Sequence, residues 1–219
     1  MPEAAMVVAL VGAESTGKST LAAALQQQLI ADGLRVAVVG ETLREFCDQH
    51  RRTPRIDEQA LIAQTQTNRI ADAAAAGHDI VIADTTALMI AVYSELVFGD
   101  TSLYASAEAA QARCDLTLLT ALDLPWIADG LQRDGPHVRE PVDRLLRGAL
   151  QRTGVAYSIV AGSGQQRIDA ALAAVRRAWT LRQRSDEDTA QPRWQWVCDR
   201  CGDAGCERHW LLRARGDAG

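Results

Sequence analysis

Short apolar runs alternate along the chain with longer segments in which apolar residues recur at helical spacing. The apolar runs predict five strands, at residues 7–11, 36–39, 80–83, 116–119 and 157–160. The other segments predict helices, at residues 17–31, 42–50, 56–76, 88–98, 105–112, 143–153 and 168–182. Strands separated by helices form parallel sheets through right-handed crossovers. We therefore expect an α/β fold with a five-stranded parallel sheet and helices on both faces.

The pattern changes after residue 184. Residues 185–193 are polar and contain Pro192, which is typical of a linker. Residues 194–219 hold three of the five Trp and three of the five Cys. We therefore expect one domain over residues 1–184, a linker over 185–193 and a small tail over 194–219.

Composition narrows the class of protein but does not reveal its chemistry. The 219 residues carry a net charge of -5, which argues against nucleic-acid binding through a broad basic surface. No apolar run reaches the roughly 18 residues that span a bilayer. The N-terminal residues also lack the basic start of a signal peptide. We expect a cytoplasmic protein without a membrane partner.

Residues 12–19, GAESTGKS, match the phosphate-binding pattern G-x-x-x-x-G-K-[ST] in full. The motif follows a predicted strand and opens a predicted helix, which is the context it requires. Backbone N–H groups and the positive end of the helix surround phosphate oxygens there. The lysine places charge on the β- and γ-phosphates, and the serine hydroxyl can bind Mg²⁺. The motif therefore predicts ATP and Mg²⁺ as cofactors, with the nucleotide held by Gly12, Glu14, Ser15, Thr16, Gly17, Lys18, Ser19 and Thr20.

Two acidic residues follow predicted strands. Asp84 ends the third strand, where an acidic residue can hold the Mg²⁺ shell together with Ser19. Glu41 follows the second strand and could take the proton from an acceptor hydroxyl. Asp84 could instead cap the next helix, and Glu41 could be a surface residue. Which of the two is the base, or binds a hydroxyl of the acceptor, stays open at the level of sequence.

The motif and four further stretches together resemble a known family. They are GAESTGKST at 12–20, ETLREF at 41–46, IADTT at 82–86, DLTLL at 115–119 and PWIADGL at 125–131. In order and spacing they are similar to the ribosylnicotinamide kinase domain of NadR-type proteins, over residues 7–161. The resemblance implies a P-loop kinase that uses ATP to phosphorylate the 5′-hydroxyl of nicotinamide riboside. Because six residues precede the first predicted strand, we expect a kinase domain that stands alone.

The same resemblance implies a mobile lid at about residues 123–140. Arg133 and Arg139 lie in it and could bring positive charge to the transferring phosphoryl group, or they could be solvated. Trp126 could stack on the cationic nicotinamide ring or pack against the base of the lid. Asp129 would favour the same cation, and Arg44 could contact the substrate or brace Glu41.

The tail carries a pattern typical of a metal site. Its spacing, C-x2-C-x4-C-x2-H, supplies three thiolates and an imidazole, which suit tetrahedral zinc. We expect a structural Zn²⁺ held by Cys198, Cys201, Cys206 and His209. The alternative is a tail with reduced cysteines and no metal. The aromatic and basic residues around the cluster could contact single-stranded nucleic acid, but the acidic chain argues against it.

Two other functions compete with the kinase of nicotinamide riboside. One is an ATP-binding regulatory protein whose tail contacts a partner or nucleic acid. The other is a kinase of the same fold that acts on another nucleoside. The carboxylate at Glu41 and the lid arginines favour an enzyme with a small-molecule nucleoside as substrate. The oligomeric state stays open.

Overall fold

The structure is a computed structural model that describes residues 4–127 and 135–190. Its strands are β1 (Met6–Val11), β2 (Val36–Val39), β3 (Ile80–Asp84), β4 (Leu116–Thr120) and β5 (Tyr157–Val160). Its helices are α1 (Lys18–Ala31), α2 (Thr42–His50), α3 (Ile56–Ala75), α4 (Ala87–Phe98), α5 (Tyr104–Gln111), α6 (Arg139–Thr153) and α7 (Gly164–Ala190). A short 3₁₀ turn, Pro136–Val138, leads into α6.

The five strands form one parallel sheet in the order β2-β3-β1-β4-β5. The first strand of the sequence therefore lies at the centre, paired with β3 on one side and β4 on the other. Leu10 of β1 is opposite Asp84 on one side and Leu118 on the other. The predicted five-stranded parallel α/β fold is confirmed.

The composition of β1 explains its central place. All six of its residues are buried, and Val8, Ala9, Leu10 and Val11 have no exposed surface. A strand of a parallel sheet that is covered on both faces needs such a continuous apolar run. Parallel strands present their carboxyl ends at one edge, so the loops after β1, β2 and β3 meet there.

The main apolar core lies where α4 packs against α3, α5 and α6. Residues 87–92 of α4 are all buried, because this helix is covered on every side. Leu146 and Leu150 of α6, one turn apart, complete the same core.

Two helices are longer than predicted. The helix α6 begins at Arg139, four residues before the predicted start, because the turn at Pro136 already sets a helical direction. The helix α7 runs from Gly164 to Ala190, so residues 185–190, where we predicted a linker, are helical. Polarity does not end a helix, and no Gly or Pro occurs between Gly164 and Pro192.

Contacts divide the chain into two units, residues 1–178 and 179–219. The first unit contains the sheet and the site described below. In the described part of the chain, no helix combines the length and the apolar character needed to cross a membrane.

Candidate nucleotide and acceptor site

The loop between β1 and α1 requires glycine at two positions. Gly12 has a φ of +150°, and a Cβ built on it would lie 2.0 Å from Oγ1 of Thr120 at the end of β4. Gly17 has a φ of +76° and directly precedes α1. The backbone therefore turns within a few residues from the central strand into the helix, as the motif predicts.

Hydrogen bonds within the loop hold its shape. Nζ of Lys18 donates to the carbonyl oxygens of Gly12 (3.0 Å) and Ala13 (2.9 Å). The hydroxyl of Thr16 lies 2.8 Å from the oxygen of Ala13 and 2.7 Å from Oγ1 of Thr120. Because Thr16 has no exposed surface, its hydroxyl supports the loop from within.

A cavity of about 570 Å³ opens beside this loop, and we call it the loop cavity. It is lined by residues 15–21, Arg44, Leu124, Pro125, Ile127, Gly164, Arg167 and Ile168. The amino end of α1 is on one side, with the hydroxyls of Ser19 and Thr20. Leu124, Ile127 and Ile168 supply apolar surface on another. Phosphate groups suit the first region, and a planar base suits the second.

The segment after β4 is attached to the phosphate-binding loop through Ser15 and to α6 through Arg139. Oγ of Ser15 lies 2.8 Å from the backbone nitrogen of Ile127 and 3.2 Å from its oxygen. Arg139, at the start of α6, donates from Nη1 to the oxygen of Leu124 at 2.9 Å and is 8% exposed. In this structure Arg139 therefore supports the base of the predicted lid.

Arg167 of α7 braces the loop from the opposite side. Its Nη2 donates to the oxygen of Thr16 at 2.9 Å, and its Nη1 donates to Oδ1 of Asp123 and to the oxygen of Gly162. Partial burial raises the pKa of Asp123, but hydrogen bonds from the Gly162 nitrogen and from Arg167 outweigh it and hold the pKa below its ordinary value. A buried, charge-paired arginine thus fixes one carbonyl of the phosphate-binding loop.

A second cavity, of about 160 Å³, lies among α2, α3 and α4, and we call it the helix cavity. It is lined by Glu14, Lys18, Glu41, Leu43, Arg44, Cys47, Thr53, Pro54, Gln59, Thr85, Met89, Tyr93, Val97 and Phe98. Its polar groups come from the loop and from the starts of α2 and α3. Its apolar wall comes mainly from α4. Lys18 and Arg44 border both cavities.

Glu41 borders the helix cavity from the residue that precedes α2. Its Oε2 lies 3.6 Å from Nε of Arg44, one turn further along. This ion pair is the contact that a bracing role for Arg44 requires, and the bracing role stays a prediction. Because Arg44 also borders both cavities, a contact with the substrate stays a prediction.

Asp84 ends β3 next to the phosphate-binding loop and is 6% exposed. Its Oδ1 has no hydrogen-bond partner within the described residues. Thr86, not Asp84, precedes α4, and its hydroxyl is engaged by Gln111 at 2.7 Å. The structure thus gives no sign that Asp84 caps the helix. A buried carboxylate oxygen that lacks a donor, together with the hydroxyl of Ser19, fits a hard cation such as Mg²⁺.

Sequence reasoning missed two buried glutamines of α3. Gln59 is 4% exposed and borders the helix cavity, and Gln66 has no exposed surface. They lie on one face of the helix with the buried residues Ile62 and Ala63, at positions i, i+3, i+4 and i+7. That spacing was the available signal, because it places two amides at core-facing positions of a predicted helix.

Several predicted residues lie outside this arrangement. Trp126 is partly buried and is not among the residues that line either cavity. Arg133 and Asp129 lie outside the described residues, as do Cys198, Cys201, Cys206 and His209. The described ranges contain no group of three His, Cys, Asp or Glu residues that could hold a metal ion. The zinc site stays a prediction from sequence.

The fold and the loop define a P-loop nucleotide-binding protein. A family profile described as an AAA domain matches residues 7–167, and the chain belongs to that family. Two crystal structures of NadR protein share the fold, one in complex with NAD and AMP-PNP and one in complex with NR. Each has a TM-score of 0.65 and 23% identity, and the match covers 80% of this chain. This chain spans 50% of the length of those chains. A search of the curated proteins finds no match.

Proposed function

We propose that this protein is an ATP-dependent kinase that phosphorylates the 5′-hydroxyl of nicotinamide riboside to give nicotinamide mononucleotide. The observation that carries the proposal is that Lys18 and Arg44 border both cavities. A nucleotide in the loop cavity and an acceptor in the helix cavity would meet at these two cations. Phosphoryl transfer depends on such positioning and charge neutralisation more than on covalent chemistry.

Different residues of the chain have different roles in the proposed phosphoryl transfer. The loop amides and Lys18 bind the phosphates of ATP, and Arg167 keeps the loop in place through the oxygen of Thr16. Ser19 and Asp84 would hold Mg²⁺, which when bound neutralises charge on the phosphates. Glu41 borders the acceptor side and accepts the hydroxyl proton, with Arg44 fixing its carboxylate.

The chemistry of the helix cavity suits a nucleoside with a cationic ring. Glu14 and Glu41 supply carboxylates, and Tyr93 and Phe98 supply aromatic surface against which a planar cation can pack. We therefore assign the ring to Tyr93 and Phe98 rather than to Trp126. NadR protein, which shares the fold, has been crystallised with NR and with nucleotides, and these complexes support the choice of acceptor.

The test is a phosphorylation assay of a nucleoside panel that includes nicotinamide riboside, run with Mg·ATP. We expect selective formation of nicotinamide mononucleotide. Lys18→Ala should lower kcat/KM by about 10² or more, since it removes charge that stabilises the transferring group. The control is Arg35→Ala, which removes an exposed cation just before β2, at the opposite edge of the sheet.

The outcomes separate the competing functions. Transfer to a different nucleoside would keep the kinase and reject the acceptor. ATP binding without transfer to any nucleoside would contradict the kinase and favour a regulatory ATP-binding protein. A loss of activity in Arg35→Ala equal to that in Lys18→Ala would show that the effect is not specific to the loop.

A further inference from the structure

Gln59 holds a buried hydrogen-bond acceptor to which none of the described residues donates. The residue lies in the first turn of α3, is 4% exposed and borders the helix cavity. Its Oε1 has no hydrogen-bond partner within the described residues. Buried polar groups in folded proteins are almost always paired, since an unpaired one has lost its water without compensation. An unpaired oxygen at the wall of a cavity therefore points to a ligand.

The neighbouring glutamine shows what a satisfied amide looks like on the same face. Oε1 of Gln66 accepts from the backbone nitrogen of Thr42 at 2.8 Å, and its Nε2 donates to the oxygen of Thr85 at 3.3 Å. Both ends of Gln66 are thus engaged by the protein. Gln59 lies seven residues earlier on the same helix face, and no described residue donates to its Oε1.

None of the described residues on the cavity wall donates a hydrogen bond to this oxygen. Ionised carboxylates only accept hydrogen bonds, so neither Glu41 on the cavity wall nor Glu58, the neighbour of Gln59 on α3, can supply a donor. The thiol of Cys47 is a weak donor. The Nζ of Lys18 donates to the oxygens of Gly12 and Ala13. A molecule that fills the cavity and carries an O–H or N–H group can supply the missing donor.

We propose that Gln59 accepts a hydrogen bond from the acceptor nucleoside, from a ribose hydroxyl or from the carboxamide, and selects acceptors that carry this donor. This inference rests on the proposed function, because it places the acceptor in the helix cavity. A site built to pair with an O–H or N–H group rejects the analogue that lacks it, since the buried partner is then left unpaired. Gln59 is therefore a specificity-determining residue for the acceptor.

The test combines one substitution with three analogues of the acceptor. Gln59→Met removes the amide and keeps the length of the side chain. We would measure kcat/KM for nicotinamide riboside, its 2′-deoxy and 3′-deoxy analogues and nicotinic acid riboside, with wild type and variant. In wild type, we expect one analogue to be at least about tenfold poorer than nicotinamide riboside. In Gln59→Met, that ratio should fall to threefold or less, while KM for ATP stays within threefold.

The matched control is Gln64→Met, on the same helix. Gln64 is exposed and donates to Asn68 at 2.7 Å. It should keep every ratio of the wild type. If each analogue keeps its wild-type ratio in Gln59→Met, the proposal is overturned.

Wild type alone also tests the inference, so the outcome does not depend on the folding of a variant. If kcat/KM for every analogue is within twofold of that for nicotinamide riboside, the site does not recognise a hydrogen-bond donor of the acceptor and the proposal is wrong. Failure of the proposed function has a different signature, namely no transfer to nicotinamide riboside at all. In that case the same comparison is made with the deoxy analogues of whichever nucleoside the panel identifies. If no nucleoside is an acceptor, the inference about Gln59 is wrong together with the proposed function.

Discussion

At the scale of single residues, Gln66 joins the two segments that carry the acidic groups of the site. Its amide links the nitrogen of Thr42, the residue after Glu41, to the oxygen of Thr85, the residue after Asp84. Thr85 has a φ of +72°, an uncommon conformation for a residue with a branched side chain. The buried amide therefore fixes the relative positions of the second and third loops at the carboxyl edge of the sheet.

A substitution at Thr42 can remove the hydrogen bond from its backbone nitrogen to Gln66 without disturbing α2. It is the first residue of α2, where proline is well tolerated because the N–H has no partner inside the helix. Thr42→Pro should lower the free energy of unfolding by about 1–3 kcal/mol relative to Thr42→Val, since it leaves Oε1 of Gln66 buried and unpaired. Chemical denaturation measures the difference.

A double-mutant cycle separates this effect from the loss of the threonine side chain. In a Gln66→Met background, the difference in free energy of unfolding between Thr42→Pro and Thr42→Val should shrink to within about 0.5 kcal/mol. The substitution removes Oε1 of Gln66, so no buried acceptor remains that could lose its donor. A difference that persists unchanged would show that Gln66 does not stabilise the start of α2.

Individual residues of the site differ in how far the sequence reveals them. The phosphate-binding loop and the place of Asp84 follow from local patterns, because a strand, a turn and a helix are encoded by adjacent residues. The roles of Gln59 and Gln66 do not, since glutamine on a helix is ordinarily solvated and only the packing of α3 on its neighbours buries it. Arg167 was missed for the same reason: its partners Thr16 and Asp123 are distant in sequence.

At the scale of elements, the first turns of α7 connect the end of β4 to the phosphate-binding loop. Asp123 follows β4 and is paired with Arg167 of α7 at 2.9 Å. Its carboxylate also accepts from the nitrogen of Gly162 at 2.5 Å. The loop, the segment after β4 and α7 are therefore joined through one charged pair.

This pair predicts a dependence of stability on pH. The pKa of Asp123 is lower in the folded chain than its ordinary value of 3.8, so its ionised form contributes stability above that value. The contribution is lost as the pH falls through the lowered pKa. Asp123→Asn should destabilise the protein by up to about 1 kcal/mol between pH 5 and 8, since the pair is partly exposed. The difference should shrink below pH 4.

Thermal unfolding of wild type and Asp123→Asn across this range measures the effect. Asp169→Asn is the control, because Asp169 is an exposed acid of α7 that pairs with Gln165 and not with an arginine. A difference between wild type and Asp123→Asn that does not change with pH would contradict the assignment.

The elements themselves were largely predictable, and their ends were not. Continuous apolar runs located the strands, because the strands of a covered sheet are buried, and apolar residues at helical spacing located the α-helices, because each helix buries an apolar stripe. The polar end of α7 has no such stripe, so composition suggested a linker there. Helical hydrogen bonding continued to Ala190 because nothing in the sequence interrupts it before Pro192.

At the scale of the whole molecule, the distribution of basic residues offers a direct probe of the site. Lys18 is the only lysine in the chain, and every other basic residue of the Lys and Arg total is arginine. The chain therefore carries one side-chain amine, placed at the border of both cavities. The α-amino group at the N-terminus is the other primary amine.

Amine-selective acylation should therefore report on nucleotide binding. We expect Mg·ATP to slow the modification of Lys18 by fivefold or more, since the β- and γ-phosphates would occupy its ammonium group. The N-terminal amine should react at the same rate with and without nucleotide, which makes it an internal control. Mass spectrometry of the two peptides gives both rates, and equal rates at Lys18 in the presence and absence of Mg·ATP would argue against binding at this loop.

The position of β1 at the centre of the sheet has a consequence for how the chain is made. A protein synthesised from its amino end produces β1 first, yet the strands that flank it are β3 and β4, at Ile80–Asp84 and Leu116–Thr120. Until β3 has been synthesised, β1 has no neighbour to pair with, and until β4 has been synthesised, its other side stays unpaired. Such distant pairings are slow to form and leave apolar strands exposed in the meantime. The nascent chain should therefore need protection from aggregation until β4 has been synthesised. The phosphate-binding loop, whose Gly12 packs on Thr120, can acquire its final form only after that point.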